Sequence, residues 1–181
     1  MSKTVLVPIA DGTEELEAVT IIDVLRRAGA TVTVASVDGP QVTASRGTKL
    51  AADRLIRDCK GTTFDLIALP GGMPGSEHLR DSADLTNLLK QQAREGRLYA
   101  AICAAPVVVL QHHGLLGDRR ATCHSSLAAR LDNRQAVDQS VVVDGTCITS
   151  RGPRTALEFA LKLVEALYGE AKARQVDGAM V

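Results

Sequence analysis

Short apolar runs alternate with segments of helical periodicity along the whole of this chain, and that alternation is its strongest constraint on fold. Thr4–Ala10, Thr31–Ser36, Phe64–Leu69 and Leu98–Ile102 read as buried strands, each bounded by turn residues. Glu14–Ala28 carries Leu16, Val19, Ile22 and Leu25 at three-residue steps and ends at Gly29, a helix with a glycine C-cap. Ala83–Glu95 is an amphipathic helix stopped by Gly96, and Thr155–Tyr168 is the last long helix, closed by Gly169. Val141–Val143 and Cys147–Ser150 form a hairpin around Asp144-Gly145. Residues 41–60 lack a clear period and read as short strands and a helical turn. This order predicts one α/β domain over residues 1–181, with a mostly parallel sheet covered by helices on both faces. Ligands of such sheets bind beyond the carboxyl ends of the strands. Three loops converge there: Asp11–Thr13, Gly71–Gly75 and the turn at Cys103.

Cys103 stands where the strand Leu98–Ile102 meets a helix opened by Pro106, a residue tolerated in the first helical turn. A strand–turn–helix corner of this kind pushes its side chain out at the top of the sheet, the nucleophile-elbow arrangement. The small residues Ala101, Ala104 and Ala105 suit so tight a turn. A thiol at a helix start also feels the positive end of the helix dipole, which favours thiolate. Two readings remain open: a reactive cysteine, or an inert thiol packed as a small hydrophobe.

The same duality holds around it. Pro70-Gly71-Gly72 ends a buried strand, either as an ordinary glycine turn or as part of an oxyanion hole with the amides of Gly72 and Ala104 as donors. Glu14 and Glu15 suit the positive helix end, a role that accounts for both. Glu17 is an exposed glutamate or a carboxyl turned into the strand-end crevice beside the thiol, where its pKa would rise. His112 and His113 close the helix after Cys103 and read as surface residues, and His78 lies in a loop or helix start. His124 follows Ala121-Thr122-Cys123 and could approach Cys103 in space, a contact that spacing alone leaves open.

Composition narrows the function classes. Lys plus Arg and Asp plus Glu both number 21, so net charge gives no basis for nucleic-acid or anionic-membrane binding. Aromatic residues are 2% with no Trp, which removes the stacking platforms of single-strand binders. No apolar run is long enough to span a membrane, and the first residues lead straight into a strand rather than a signal peptide. Cys59, Cys103, Cys123 and Cys147 show no zinc spacing and no other metal-ligand cluster, and read as reduced cytoplasmic thiols.

Taken together, the motifs resemble the DJ-1/ThiJ/PfpI superfamily, and within it the DJ-1 branch. The residues that carry this are Ala10-Asp-Gly-Thr-Glu-Glu-Leu-Glu-Ala-Val19, Asp23-Val-Leu-Arg-Arg-Ala-Gly29, Ser45-Arg46, Leu69-Pro-Gly-Gly72, Ala100-Ala-Ile-Cys-Ala-Ala-Pro106 and Thr149-Ser-Arg-Gly-Pro-Arg-Thr155. The resemblance covers nearly the whole chain. It implies a flavodoxin-like three-layer α/β sandwich and a homodimer. It also implies Cys103 as nucleophile, Glu17 as the carboxyl in contact with it, and Gly72 and Ala104 as backbone donors, with His124 nearby. Arg27, Arg46 and Arg151 match arginines around the pocket and dimer interface, Asp23 matches an acidic residue near Arg27, and Arg46 is expected to reach toward the partner's site. The implied activity is cofactor-free conversion of small α-oxoaldehydes, methylglyoxal or glyoxal, to hydroxy acids, with repair of early glycation adducts. The alternatives are a redox-sensing stress protein or chaperone, and a cysteine hydrolase. Two departures stand out: Cys123 is expected to add a second thiol near the pocket, able to alter its redox behaviour, and Ala51 replaces a cysteine found in some relatives. The chain ends soon after Gln175, so any extra C-terminal helix is absent or short.

Overall fold

A computed structural model describes residues 2–181. The strands are β1 (Thr4–Ile9), β2 (Thr31–Ser36), β3 (Gln41–Thr43), β4 (Lys49–Ala51), β5 (Arg54–Leu55), β6 (Leu66–Leu69), β7 (Leu98–Ile102), β8 (Val141–Asp144) and β9 (Cys147–Ser150). The helices are α1 (Glu15–Arg27), α2 (Gly75–Asp81), α3 (Ala83–Arg94), α4 (Ala156–Tyr168) and α5 (Glu170–Gly178). Seven strands form one sheet in the order β5-β2-β1-β6-β7-β9-β8, parallel except where β8 runs against β9. The expected α/β architecture is therefore present, and β3 and β4 make a separate hairpin within the stretch that lacked a period.

Alternation along β1 sorts the layers. Val5 and Val7 face a core with Ile21, Val24 and Leu25 of α1 and Phe159 and Leu163 of α4. Leu6 faces the opposite core, with Leu79 of α2 and Leu85 and Leu89 of α3. Side chains one apart on a strand point to opposite faces, so β1, β2, β6, β7 and β9 each serve both cores. The chain runs outward from β1 through β2 to β5, then returns to β6 on the other side of β1. The switch of direction between β1 and β6 opens a crevice at their carboxyl ends.

Three expectations need correction. The stripe Leu16, Val19, Ile22, Leu25 is not the buried face of α1: Leu16 is 50% and Val19 49% exposed. A three-residue step falls short of a full helical turn, so over three such steps the stripe rotates by about half a turn. The buried face is Glu17, Ala18, Ile21, Val24 and Leu25. The helix expected after Pro106 is a six-residue π-helix, Pro106–Gln111, buried from Pro106 to Leu110. Three consecutive β-branched valines, Val107 to Val109, weaken a regular α ladder. His113 is not a free surface residue. Its Nε2 lies 2.8 Å from the carbonyl of Arg80 and 3.2 Å from the Thr86 hydroxyl, tying α2 to α3. Beyond Gly169, the nine-residue α5 packs Ala173 and Val176 into the α1–α4 core.

Candidate functional site

The three expected loops meet at the carboxyl ends of β1, β6 and β7. Glu14 N donates to Gly71 O (2.9 Å), joining the loop after β1 to the loop after β6. Gly72, at φ +93°, sits so close to Gly12, Thr13 and Glu14 that a Cβ there would collide with backbone. Gly71 packs against the β7 turn: a Cβ on it would lie 2.5 Å from Cys103 Cβ, 2.9 Å from Glu17 Oε2 and 2.9 Å from Ile102 O. Gly71→Ala is thus expected to lower stability by about 2 kcal/mol or more and to slow alkylation of Cys103 by iodoacetamide. Thermal melts and intact-mass time courses check this, and unchanged values in both would remove the close approach from the account.

Cys103 is the one non-glycine residue at positive φ among those described, at +66°. That left-handed backbone costs about 1–2 kcal/mol in an L-residue. Two hydrogen bonds hold it there: Cys103 N to Ser150 O at the end of β9 (3.0 Å), and His124 N to Cys103 O (2.8 Å). The turn projects the side chain into a cavity of about 350 Å³ whose wall includes Arg46, Gly72, Ala104 and His124.

Glu17 comes from the buried face of α1 and is fully buried. Its Oε2 accepts a 2.7 Å hydrogen bond from Gly71 N, while its Oε1 is buried without a protein hydrogen-bond partner. Burial pushes its carboxyl up to about 7; the Gly71 N–H and Cys103 side chain pull it down, and the Glu14 charge adds to the rise. The Cys103 thiol is pushed up to about 12, first by burial and then by the Glu17 carboxylate, with the N–H groups of Gly72 and Ala104 pulling it down. The thiolate expected from a helix dipole is therefore opposed by burial and by its neighbour's charge. The opposition depends on the state of Glu17. Once Glu17 holds a proton, its repulsion vanishes and its O–H can donate to sulfur beside the two amides.

His124 shares the cavity, but no hydrogen bond joins its ring to Sγ among the described residues. Its Nδ1 accepts from Ser126 N (3.3 Å) and lies 2.8 Å from Ser126 Oγ, so a neutral ring carries its proton on Nε2. Among the described residues no carboxylate orients it, unlike the base of a hydrolytic triad. Cys123, one residue earlier, points the other way: it is fully buried in the α2–α3 core, its thiol pushed up to about 11 by burial.

Arg46 lines the cavity of its own chain, and Arg151 lines an adjoining one. Asp23 and Arg27 are not brought to Cys103 within one chain; they form a 2.7 Å ion pair on the exposed side of α1.

Glu15 does more than favour a helix end. Its carboxylate accepts from Arg46 N (3.0 Å to each oxygen) and Thr48 N (3.4 Å), and its Oε2 shares the Ser45 hydroxyl with Glu14. Burial works to raise this carboxyl, and these hydrogen bonds with its own N–H outweigh it, lowering it to about 2. The turn that presents Arg46 is held by Glu15, a role without a local sequence signal because the partners lie about thirty positions away. Among the described residues no three His, Cys, Asp or Glu side chains group as metal ligands, and no helix is long and apolar enough to cross a membrane.

The chain is similar to known proteins over most of its length. The DJ-1/PfpI family model matches residues 3–166. Protein DJ-1 homolog B of Arabidopsis thaliana is 48% identical over 176 residues, which is 97% of this chain and 40% of that protein. The chain thus spans less than half the length of that relative. The Caenorhabditis elegans protein named glutathione-independent glyoxalase DJR-1.2 is 39% identical over 94% of this chain and 91% of its own. The structure of oxidised Toxoplasma gondii DJ-1 superposes with a TM-score of 0.96 at 48% identity, covering 99% of this chain and 98% of that one.

Proposed function

The chain belongs to the DJ-1/PfpI family, and from that premise we propose that it is a glutathione-independent glyoxalase, converting methylglyoxal to lactate and glyoxal to glycolate. The observation that carries this reading is the pairing of a strained, cavity-facing Cys103 with a buried carboxyl raised to about 7. The working form is Cys103 thiolate beside protonated Glu17. Sulfur attacks the aldehyde carbon, and Glu17 protonates the new alkoxide, which lies by the amides of Gly72 and Ala104. The freed Glu17 carboxylate takes the hydrogen from that carbon and returns it to the neighbouring ketone carbon. His124 or water carries the hydroxyl proton between the two oxygens. The product is a thioester of lactate on Cys103, and water cleaves it to release lactate and restore the thiol. One carbon is oxidised and its neighbour reduced by the same pair of electrons, so no external redox partner enters. Removal of free aldehyde also draws early glycation adducts back toward unmodified amines.

A time course of methylglyoxal loss and lactate gain without glutathione tests this. Equal amounts over many turnovers are expected; no lactate above background would sink it. A second reading rests on the same sulfur cage. The Glu17 O–H and the two amides suit a sulfinate, and the Toxoplasma gondii relative is described as oxidised. Oxygen addition at Cys103 under mild peroxide, coupled to suppression of aggregation and without lactate formation, would favour a redox-sensing chaperone.

We propose a homodimer as the assembled form. Leu16, Val19, Asp23 and Arg27 share one outward face of α1, with the two apolar side chains half exposed. A second copy on that face would bring Asp23 and Arg27 toward its partner's site. Light scattering is expected to give twice the chain mass and Val19→Asp to give monomer; a monomeric wild type would refute the assembly.

A further inference from the structure

A second cavity, of about 570 Å³, adjoins the one that holds Cys103, and His124 and Pro153 line both. Its remaining wall includes Arg151, Arg154, Ser125 and Ser140. Neither guanidinium has a carboxylate within 4 Å among the described residues, although nine other Lys or Arg ion pairs form there. Arg151 has one weak tether, from Nη1 to Asp138 O at 3.4 Å. Glu158 also lines the wall, one turn past Arg154, without pairing to it. Two arginines against one glutamate leave the cavity net positive. The segment Gly152–Thr155 leads into the thirteen-residue α4, so the positive end of that helix faces the same space.

We infer that this cavity is an anion subsite of the Cys103 centre, selecting α-oxoaldehydes that carry a phosphate ester or carboxylate a few bonds from the reacting carbonyl. The inference rests on the glyoxalase reading for its substrate, but not for its binding chemistry. A guanidinium offers a planar fork of donors that matches phosphate or carboxylate oxygens two at a time. Here two such forks are unpaired beside a nucleophile. The wall shared through His124 places the reacting carbonyl in one cavity and its charged end in the next. Methylglyoxal, with no charged end, leaves this second cavity empty.

The test separates binding from turnover. Glycerol 3-phosphate, glycerate and uncharged glycerol are titrated calorimetrically into the wild type, Arg154→Ala and Arg154→Lys. Saturable binding of an anion but not of glycerol is expected, weakened at least ten-fold in Arg154→Ala and partly restored in Arg154→Lys. The tighter anion identifies the preferred charged group. Absence of anion binding, equal binding of glycerol, or affinity unchanged in Arg154→Ala would overturn the subsite. Melting curves establish that each variant is folded, as the exposed position of Arg154 leads one to expect. Turnover of 3-hydroxy-2-oxopropanal is then compared with that of its phosphate ester. The wild type should prefer the ester, with the kcat/KM ratio falling at least ten-fold in Arg154→Ala. Anion binding that persists without turnover of either aldehyde would leave the subsite standing and remove the glyoxalase reading.

Discussion

Cys103→Ser is expected to reduce lactate formation from methylglyoxal to background, a loss of about a thousand-fold or more, while leaving the fold intact. Serine has nearly the shape of cysteine and meets the same backbone at φ +66°, with the bonds to Ser150 and His124 made by main-chain atoms. The loss is therefore chemical. An alcohol ionises far less readily than a thiol, so in the same surroundings the attacking anion is scarcer by orders of magnitude. The three other cysteines cannot substitute. Cys59, Cys123 and Cys147 are buried, and burial is the leading cause that raises each thiol. Lactate assays read the activity and far-ultraviolet circular dichroism the fold. A folded Cys103→Ser protein retaining a tenth of wild-type turnover would refute the thioester route.

The corner that presents Cys103 was legible because its causes are local: an apolar strand, the small residues Ala101, Ala104 and Ala105, and a proline, all within nine residues. The parallel sheet followed from the order of elements, and the convergence of loops followed from the sheet. Glu17 was not legible from spacing, because glutamate is rarely fully buried and the obvious apolar stripe on α1 was the wrong one. Its place came from resemblance, and the structure supplies the reason: it lies on the same face as Ala18, Ile21 and Val24. Glu15 and Arg46 meet through a loop between β3 and β4, strands of three residues each, too short to carry a period. The orientation of His124 depends on Ser126, and the inward turn of Cys123 on which neighbour faces the core. Each of these is decided by tertiary contacts rather than by sequence spacing.

Glu17→Gln is expected to make the protein more stable at pH 8 and at the same time to lower turnover by at least a hundred-fold. The stability effect follows from linkage. The Glu17 carboxyl titrates at about 7 in the folded chain against an ordinary 4.5. Between those values the native protein keeps a proton that the unfolded chain has released. Stability from this group is thus present below the ordinary value and is lost as pH rises through the folded one. The slope is about 1.4 kcal/mol per pH unit, for a total of about 3 kcal/mol. Glutamine has no charge to bury, and its carbonyl can still accept from Gly71 N, so the variant should lack this decline. Melting temperatures of the two proteins from pH 4.5 to 8.5 should therefore diverge toward alkali, by roughly 6–12 °C for a chain of this size. Parallel curves would mean that Glu17 titrates as an ordinary surface carboxyl. The loss of turnover has a separate cause: an amide can neither give a proton to the alkoxide nor take the carbon-bound hydrogen, a function worth about a hundred- to ten-thousand-fold. Mere disruption of the site predicts lower stability together with lower activity. A gain in stability with a loss of activity instead identifies a carboxyl held in an unfavourable place because the chemistry needs its proton there.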